Sequence, residues 1–243
     1  MDPIHQFVIT PIVPITIAGL DVSFTNSALW MALAVAAAYF TVMAGTRQHA
    51  MVPGRLQAAV EMLYEFTANM LRDATGKEGM QYFPWIFTLF CFLLFGNLLG
   101  MIPGSYTFTS QIIVTFFMAI TVIVAVTAIG FWKHGTKFFG FFVPHGAPGF
   151  ILPLMVPIEI LSYLVRPISL SVRLFCNMMA GHTMMKVFAY FVIGLSSYYV
   201  LPGIAPLLIT VALTGFEIVV AILQAYVFTV LTCLYLNDAL HMH

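Results

Sequence analysis

The sequence predicts an all-α polytopic membrane protein: three conventional transmembrane helices, one interfacial amphipathic helix and a long oblique membrane-embedded helical hairpin. Two observations predict the class. The 243 residues are 61% hydrophobic and only 7% charged, with a mean hydropathy of +1.00, whereas a soluble domain carries about 25% charged residues. The apolar residues also fall into long, nearly charge-free runs separated by short polar or Gly/Pro-rich stretches. A third observation concerns function. The run from Phe150 to Tyr190 holds Glu159, Arg166, Arg173, Asn177 and His182 within its apolar sequence. An arginine stays charged at physiological pH, and placing it at bilayer depth costs at least a few kcal/mol. Ionisable residues so placed mark ion or proton pathways, or counter-charges for a partner.

Residues 1–24 form a mixed N-terminal tail with Asp2, His5 and Asp21, and they contain no Lys or Arg, so no basic n-region of a secretory signal is read. Residues 27–46 are charge-free and long enough to cross roughly 30 Å of hydrocarbon as a helix. From Arg55 to Asp73, apolar residues recur at Leu56, Val60, Leu63, Phe66 and Met70, with Glu61, Glu65, Arg72 and Asp73 elsewhere. That spacing predicts an amphipathic helix over 55–73, lying on the inner membrane surface or docked on a partner's soluble domain. A second span covers 82–102, with Asn97 its only strongly polar side chain, and a third covers 107–132. Asn97 and Gln111 read first as interhelical hydrogen-bonders. The loop Gly140–Gly149 is rich in Gly and Pro.

Lys and Arg set the orientation. The tail has none, the loop after span one has Arg47, Arg55, Arg72 and Lys77, the turn between spans two and three has none, and Lys133 and Lys137 follow span three. The positive-inside rule then puts the N-terminus outside and both basic loops inside. Two long apolar stretches complete the chain, 150–201 and 204–237, separated by Pro202–Gly203. Even the shorter, 34 residues at 1.5 Å each, spans about 50 Å as a helix, beyond the hydrocarbon core. Both are expected to kink, break or lie oblique, with Pro153, Pro157 and Pro167 supplying break points in the first. The hairpin turn, near Ser196–Pro206, is expected outside and the C-terminus inside.

Depth along the hairpin follows by counting. Glu159 precedes Arg173 by about 20 Å of helix toward the inside, and His182 follows it by about 13 Å toward the outside. On the returning limb Glu217 lies about 10 Å outward of Gln224, and Glu217, Ala221 and Gln224 share one face. This places Arg173 opposite Gln224 at mid-depth, His182 opposite Glu217 on the outer side, and Glu159 alone on the inner side. Asn177 shares a face with Arg173, and Arg166 beside Pro167 reads as structural. The bland readings are a structural ion pair for Arg173, a neutral core carboxyl for Glu217, a solvated interface residue for Glu159, a satisfied core histidine for His182, and interhelical glue for Asn177 and Gln224. Cys91, Cys176 and Cys233 are widely spaced and sit in apolar runs, so they read as small hydrophobes. The sequence holds no Walker loop, HExxH or GxSxG, and zero net charge points away from nucleic acid. No cofactor or metal site is read.

The stretches SLSVRLFCNMMAGH and FEIVVAILQAYVFTVL resemble subunit a of F-type ATP synthases, and the likeness extends across the five-span plan. An Arg followed at four by Asn and at eight by Gly, then a carboxylate seven before a Gln, carries it. The resemblance implies a stator subunit with two offset half-channels, separated by Arg173, that lead protons to and from the carboxylates of a c-ring. It matches Asn177 and Gln224 to the family's Asn and Gln, Glu159 to its inner-side carboxylate, and His182 with Glu217 to its outer-channel pair. Many bacterial members carry the carboxylate on the first limb and the His on the second. The exchanged order here is similar to mitochondrial and alphaproteobacterial subunits. Implied partners are the c-ring, peripheral-stalk b-type subunits, the lipid bilayer and protons. The implied location is a bacterial inner (plasma) membrane or a mitochondrial inner membrane, with no covalent chemistry in this chain.

A proton-coupled secondary transporter is the alternative, but such proteins show two similar halves with interrupted helices, and no such repeat is read. A purely structural anchor leaves the cost of Arg173 unexplained. Topology is directly testable. Single-Cys variants at positions 77, 133 and 197, probed with an impermeant thiol reagent on sealed vesicles of known orientation, should label 77 and 133 from one side and 197 from the other. Labelling of 77 and 197 from the same side refutes the arrangement.

Overall fold

The computed structural model describes residues 7–14, 16–17, 20–21, 23–47, 53–102, 104–135, 138, 140, 152–196 and 200–241. Among them are six α-helices: α1 (Asn26–Thr46), α2 (Arg55–Thr75), α3 (Phe83–Gly100), α4 (Ile112–His134), α5 (Leu152–Ser196) and α6 (Val200–Leu240). Five helical segments are long and apolar enough to cross a membrane: Asn26–Thr46, Glu78–Gly100, Ile112–His134, Leu152–Leu195 and Gly203–Leu240. The protein is thus helical and of multi-span membrane character. The expected loop 141–149 and outer-turn residue Ser197 lie outside the described residues.

Ahead of α1, within the expected N-terminal tail, the chain makes two nested antiparallel pairs. Strand β1 (Pro11–Val13) pairs with β4 (Phe24–Thr25), and β2 (Thr16–Ile17) pairs with β3 (Leu20–Asp21). They fix the start of α1. The Thr25 hydroxyl accepts a hydrogen bond from the Ala28 amide at 3.4 Å, and the Asn26 side chain accepts one from the Thr10 amide at 3.2 Å. Side-chain oxygens satisfy helix-terminal amides in this way.

Helix α2 is amphipathic, but the face it buries is not the one its largest side chains predict. Val60, Thr67, Ala68, Leu71 and Thr75 are buried, a stripe of mostly small residues at helical spacing. Leu56, Met62, Tyr64 and Phe66 are exposed. Small side chains let a helix pack closely, so the larger apolar ones are left to face lipid or a partner.

The third span also begins later than expected. Residues Phe108–Ser110 form a single 3-10 turn and α4 starts at Ile112. The cause is a group of hydroxyls that bond backbone carbonyls instead of continuing a helix. Thr107 Oγ1 donates to Gly100 O at 3.0 Å, and Ser110 Oγ to Thr107 O at 2.6 Å. Phe108, fully buried, stacks on Phe92 at 5.2 Å between ring centroids and pins the turn against α3.

The last two helices are unbroken; the first is shorter than the expected run 150–201 and the second longer than 204–237. Helix α5 runs 45 residues through Pro157 and Pro167, and α6 runs 41 residues with Pro206 inside it. A proline removes one backbone hydrogen bond, but neighbouring hydroxyls and packing restore part of the loss in membrane helices. The expected break points are therefore absorbed within continuous helices.

The chain forms two compact units. One comprises residues 1–43, 91–111 and 174–225, the other 44–90, 112–173 and 226–243. In the second, Leu71, Ile86, Val122, Phe138, Leu170, Phe228 and Leu236 are fully buried. Its polar contacts tie its helices together. Lys133 pairs with Glu78, and the ring Nε2 of His134 meets Leu240 O at 3.2 Å. Arg166 Nη1 donates to Asp238 Oδ2 at 2.9 Å while its guanidinium lies over the rings of Tyr235 and Tyr163, at 5.0 and 5.5 Å. Arg166 thus clamps α5 to the end of α6. Replacing Arg166 by Ala should lower thermal stability of the detergent-purified protein by about 1–2 kcal/mol, and Lys should restore only part because it lacks the flat stacking surface. An unchanged unfolding temperature for Arg166→Ala would refute the clamp.

Candidate functional site

The first unit contains the contact that sets this protein apart from an ordinary helical bundle. On α5 the side chains of Leu174, Met178 and His182 are buried, one every four residues. On α6 Glu217, Ala221, Gln224 and Ala225 are buried in the same rhythm. The two buried faces bring the titratable members together: His182 Nδ1 lies 3.6 Å from Glu217 Oε1, with both side chains less than a tenth exposed. Neither carboxylate oxygen of Glu217 has a hydrogen-bond partner among the described residues. A buried, unsupported carboxylate is expensive as an anion, so it is held either neutral or against a positive charge. The imidazole supplies that charge when it is protonated.

Space for this approach comes from the residue before the histidine. A β-carbon at Gly181 would stand 2.6 Å from Glu217 Oε1 and 2.8 Å from its carboxyl carbon, closer than real contacts allow. On its other side, His182 Nε2 lies 2.9 Å from the Thr107 hydroxyl. Thr107 in turn donates to Gly100 O at 3.0 Å, where a β-carbon on Gly100 would overlap the Thr107 side chain at 2.6 Å. Asn97 Nδ2 donates to Ala221 O at 3.1 Å, an interhelical bond one turn from Glu217 on the same helix. Gln111 Nε2 donates to Phe7 O and to the Tyr106 hydroxyl, each at 2.7 Å, tying the N-terminal segment to the α3–α4 turn. Burial pushes the Tyr106 phenol up from its ordinary pKa, with the Gln111 hydrogen bond acting the other way, so the hydroxyl stays protonated.

The other expected site residues are disposed differently. Gln224 is buried, Glu159 is half-buried, and Arg173 and Asn177 are exposed on α5. Ser169, also exposed, stands one turn before Arg173. No ion-pair partner for Arg173 occurs among the described residues. The sequence reading did not single out Thr107, and it used Gly181 only as a motif position. The signal for Thr107 is the hydroxyl-rich run TFTS, two residues beyond Pro103–Gly104 and at the start of the expected third span. The signal for Gly181 was its place beside His182.

Long apolar helices, two of which bury an acid–imidazole pair while one exposes an arginine, define a protein of multi-span membrane character. Comparison with known proteins narrows that class. Residues 28–237 match the model of the family described as "ATP synthase A chain", and the chain belongs to that family. It is similar to ATP synthase subunit a of Rhodospirillum rubrum, with 56% identity over 241 residues covering 99% of each chain. The corresponding proteins of Chelativorans sp. (strain BNC1) and Rhizobium etli (strain CIAT 652) are each 57% identical over 243 residues. Those matches cover 99% of this chain and 98% and 97% of theirs.

The close approach at Gly181 makes a specific demand. Gly181→Ala should force the Glu217 side chain away from His182, at an overpacking cost of about 1–3 kcal/mol. A high-resolution structure of the variant would show the separation of Nδ1 and Oε1 growing beyond 3.6 Å. An unmoved carboxylate in that structure would show that the glycine is not needed for the pair.

Proposed function

We propose that this chain is the proton-path subunit of an F-type ATP synthase and acts as the stator element beside a rotating c-ring. The observation that carries the reading is Arg173: exposed, near the middle of a 45-residue apolar helix, and without an ion-pair partner among the described residues. A permanent cation so placed calls for an anion from outside the chain, and a carboxylate of the rotor supplies one. Asn177 and Ser169, exposed one turn to either side, extend a polar strip suited to the same encounter.

In this mechanism a proton enters from the outer side through His182 and Glu217 and neutralises a rotor carboxylate, which can then face lipid without the penalty of a buried charge. After nearly a full turn the carboxylate reaches an inner half-channel near Glu159 and releases the proton. Arg173 stands between the half-channels, where its charge repels a free proton and favours the ionised carboxylate. Gln224 lies on the α6 face that carries Glu217, about two helical turns inward along the helix. Charge movement under the membrane potential is worth about 2.3 kcal/mol per 100 mV. The 243 residues would work as a single membrane domain in a bacterial inner (plasma) membrane or a mitochondrial inner membrane. Three spans, a surface helix and an oblique hairpin would be set with the N-terminus outside and the C-terminus inside. Peripheral-stalk b-type subunits would hold it against the ring. Family membership and the near-full-length likeness to ATP synthase a subunits support this reading.

The decisive experiment replaces Arg173. In assembled complex, Arg173→Ala should abolish proton-driven ATP synthesis while permitting passive proton leak, and Arg173→Lys should also fail to support synthesis, because an ammonium can lose its proton in a desolvated site. Normal coupling in Arg173→Ala would overturn the mechanism.

A further inference from the structure

We propose that Thr107 is a positioning residue that fixes the tautomer of His182, so that the His182–Glu217 pair exchanges its proton at Nδ1. The inference rests on the reading of that pair as a proton carrier and deepens it. Thr107 donates its only hydroxyl proton to the Gly100 carbonyl at 3.0 Å, which leaves its oxygen lone pairs for His182 Nε2 at 2.9 Å. A ring nitrogen facing a lone pair carries a proton. Nε2 is therefore the N–H of the neutral ring, and Nδ1, 3.6 Å from Glu217 Oε1, presents its own lone pair to the carboxyl. One proton then belongs to the pair as a whole. It resides on Nδ1 as imidazolium against carboxylate, or on Oε1 as carboxylic acid against neutral imidazole, with no change at Nε2.

The threonine is equipped for this part. It is 5% exposed, on a turn pinned by Phe108, and its hydroxyl is aimed by the carbonyl of a glycine whose missing side chain leaves room for it. Any other residue at position 100 would push the hydroxyl away from the carbonyl. The charged and titratable groups that bear on His182 are Glu217 from α6 and Lys186, one turn along α5. The turn that carries Thr107 contributes Tyr106, whose hydroxyl is occupied by Gln111. None of these offers Nε2 an acceptor in the structure. Without Thr107, a proton on Nε2 would be buried and unsatisfied, and the neutral ring would move its proton to Nδ1 and donate it to Glu217. That bond favours the ionised carboxylate, and the imidazolium loses one of its two acceptors, so the pair takes up its proton only at lower pH.

The test uses assembled complex of equal abundance in proteoliposomes, with wild type, Thr107→Val, Thr107→Ser and His182→Ala. Two readouts are taken: the 15N shifts of the His182 ring in histidine-labelled complex, and the pH dependence of proton-driven translocation. Wild type and Thr107→Ser should show the Nε2–H tautomer and the same pH profile. Thr107→Val should lose that tautomer, slow translocation several-fold and move its pH profile down by about one unit, the size expected for one lost hydrogen bond to the charged ring. An Nδ1–H ring in wild type, an unchanged tautomer in Thr107→Val, or slow translocation with an unmoved pH profile would each overturn the proposal. So would a wild-type rate and profile in Thr107→Val alongside a slow His182→Ala, a result that leaves the proton-carrier reading standing. Wild-type rates in both Thr107→Val and His182→Ala would overturn that reading itself.

Discussion

The first unit depends on one desolvated contact. Glu217 is almost fully buried and finds no hydrogen-bond donor among the described residues, so the imidazole of His182 is what makes its position tolerable. Everything around the pair serves that contact. Gly181 opens the space for the carboxylate, and the α3–α4 turn delivers a hydroxyl to the far side of the ring. Asn97 holds the α6 backbone one turn away. A conventional bundle core would place aliphatic side chains at these positions and gain stability from their burial. A buried acid and base are poor glue, and under the proposed function they serve as a proton carrier.

The second unit solves the opposite problem. Its ion pairs are partly exposed, and Arg166 gains from aromatic faces as well as from Asp238. Such contacts hold long helices in register without burying an uncompensated charge. The two arginines of α5 therefore differ in kind although they stand seven residues apart. Arg166 has its carboxylate within the chain, and Arg173 has none among the described residues. Pairing within the chain, and not the mere presence of a guanidinium in an apolar run, marks Arg166 as structural and leaves Arg173 open to the role proposed for it.

Much of this was legible in the sequence because helices are rulers. Counting from Arg173 and Gln224 placed His182 opposite Glu217, and the structure brings them to 3.6 Å. Five apolar helices were legible for the same reason, since run length and charge depletion are local properties. What was not legible depended on side chains competing with the backbone or with each other. The hydroxyls of Thr107 and Ser110 turn an apparent start of α4 into a folded-back corner. On α2, burial follows close packing of small residues and not the largest apolar side chains. Pro157 and Pro167 read as breaks because propensity rules are calibrated on isolated helices in water, while a membrane helix has few other ways to satisfy its backbone.

The same ruler explains how one helix can serve two chemical tasks. At about 100° per residue, the nine residues from Arg173 to His182 turn the helix through two and a half turns, so the two side chains leave on opposite sides. The four residues from Arg173 to Asn177 return to nearly the same side, and the fourteen back to Glu159 do so as well. Exposure agrees with this geometry: Arg173 and Asn177 are exposed while His182 is buried. A titratable side chain turned inward can be tuned by a few fixed neighbours and shielded from stray ions. A permanent cation turned outward is available to a moving partner. Under the proposed function, the spacing RLFCNMMAGH separates the fixed charge from the exchangeable one by helix geometry.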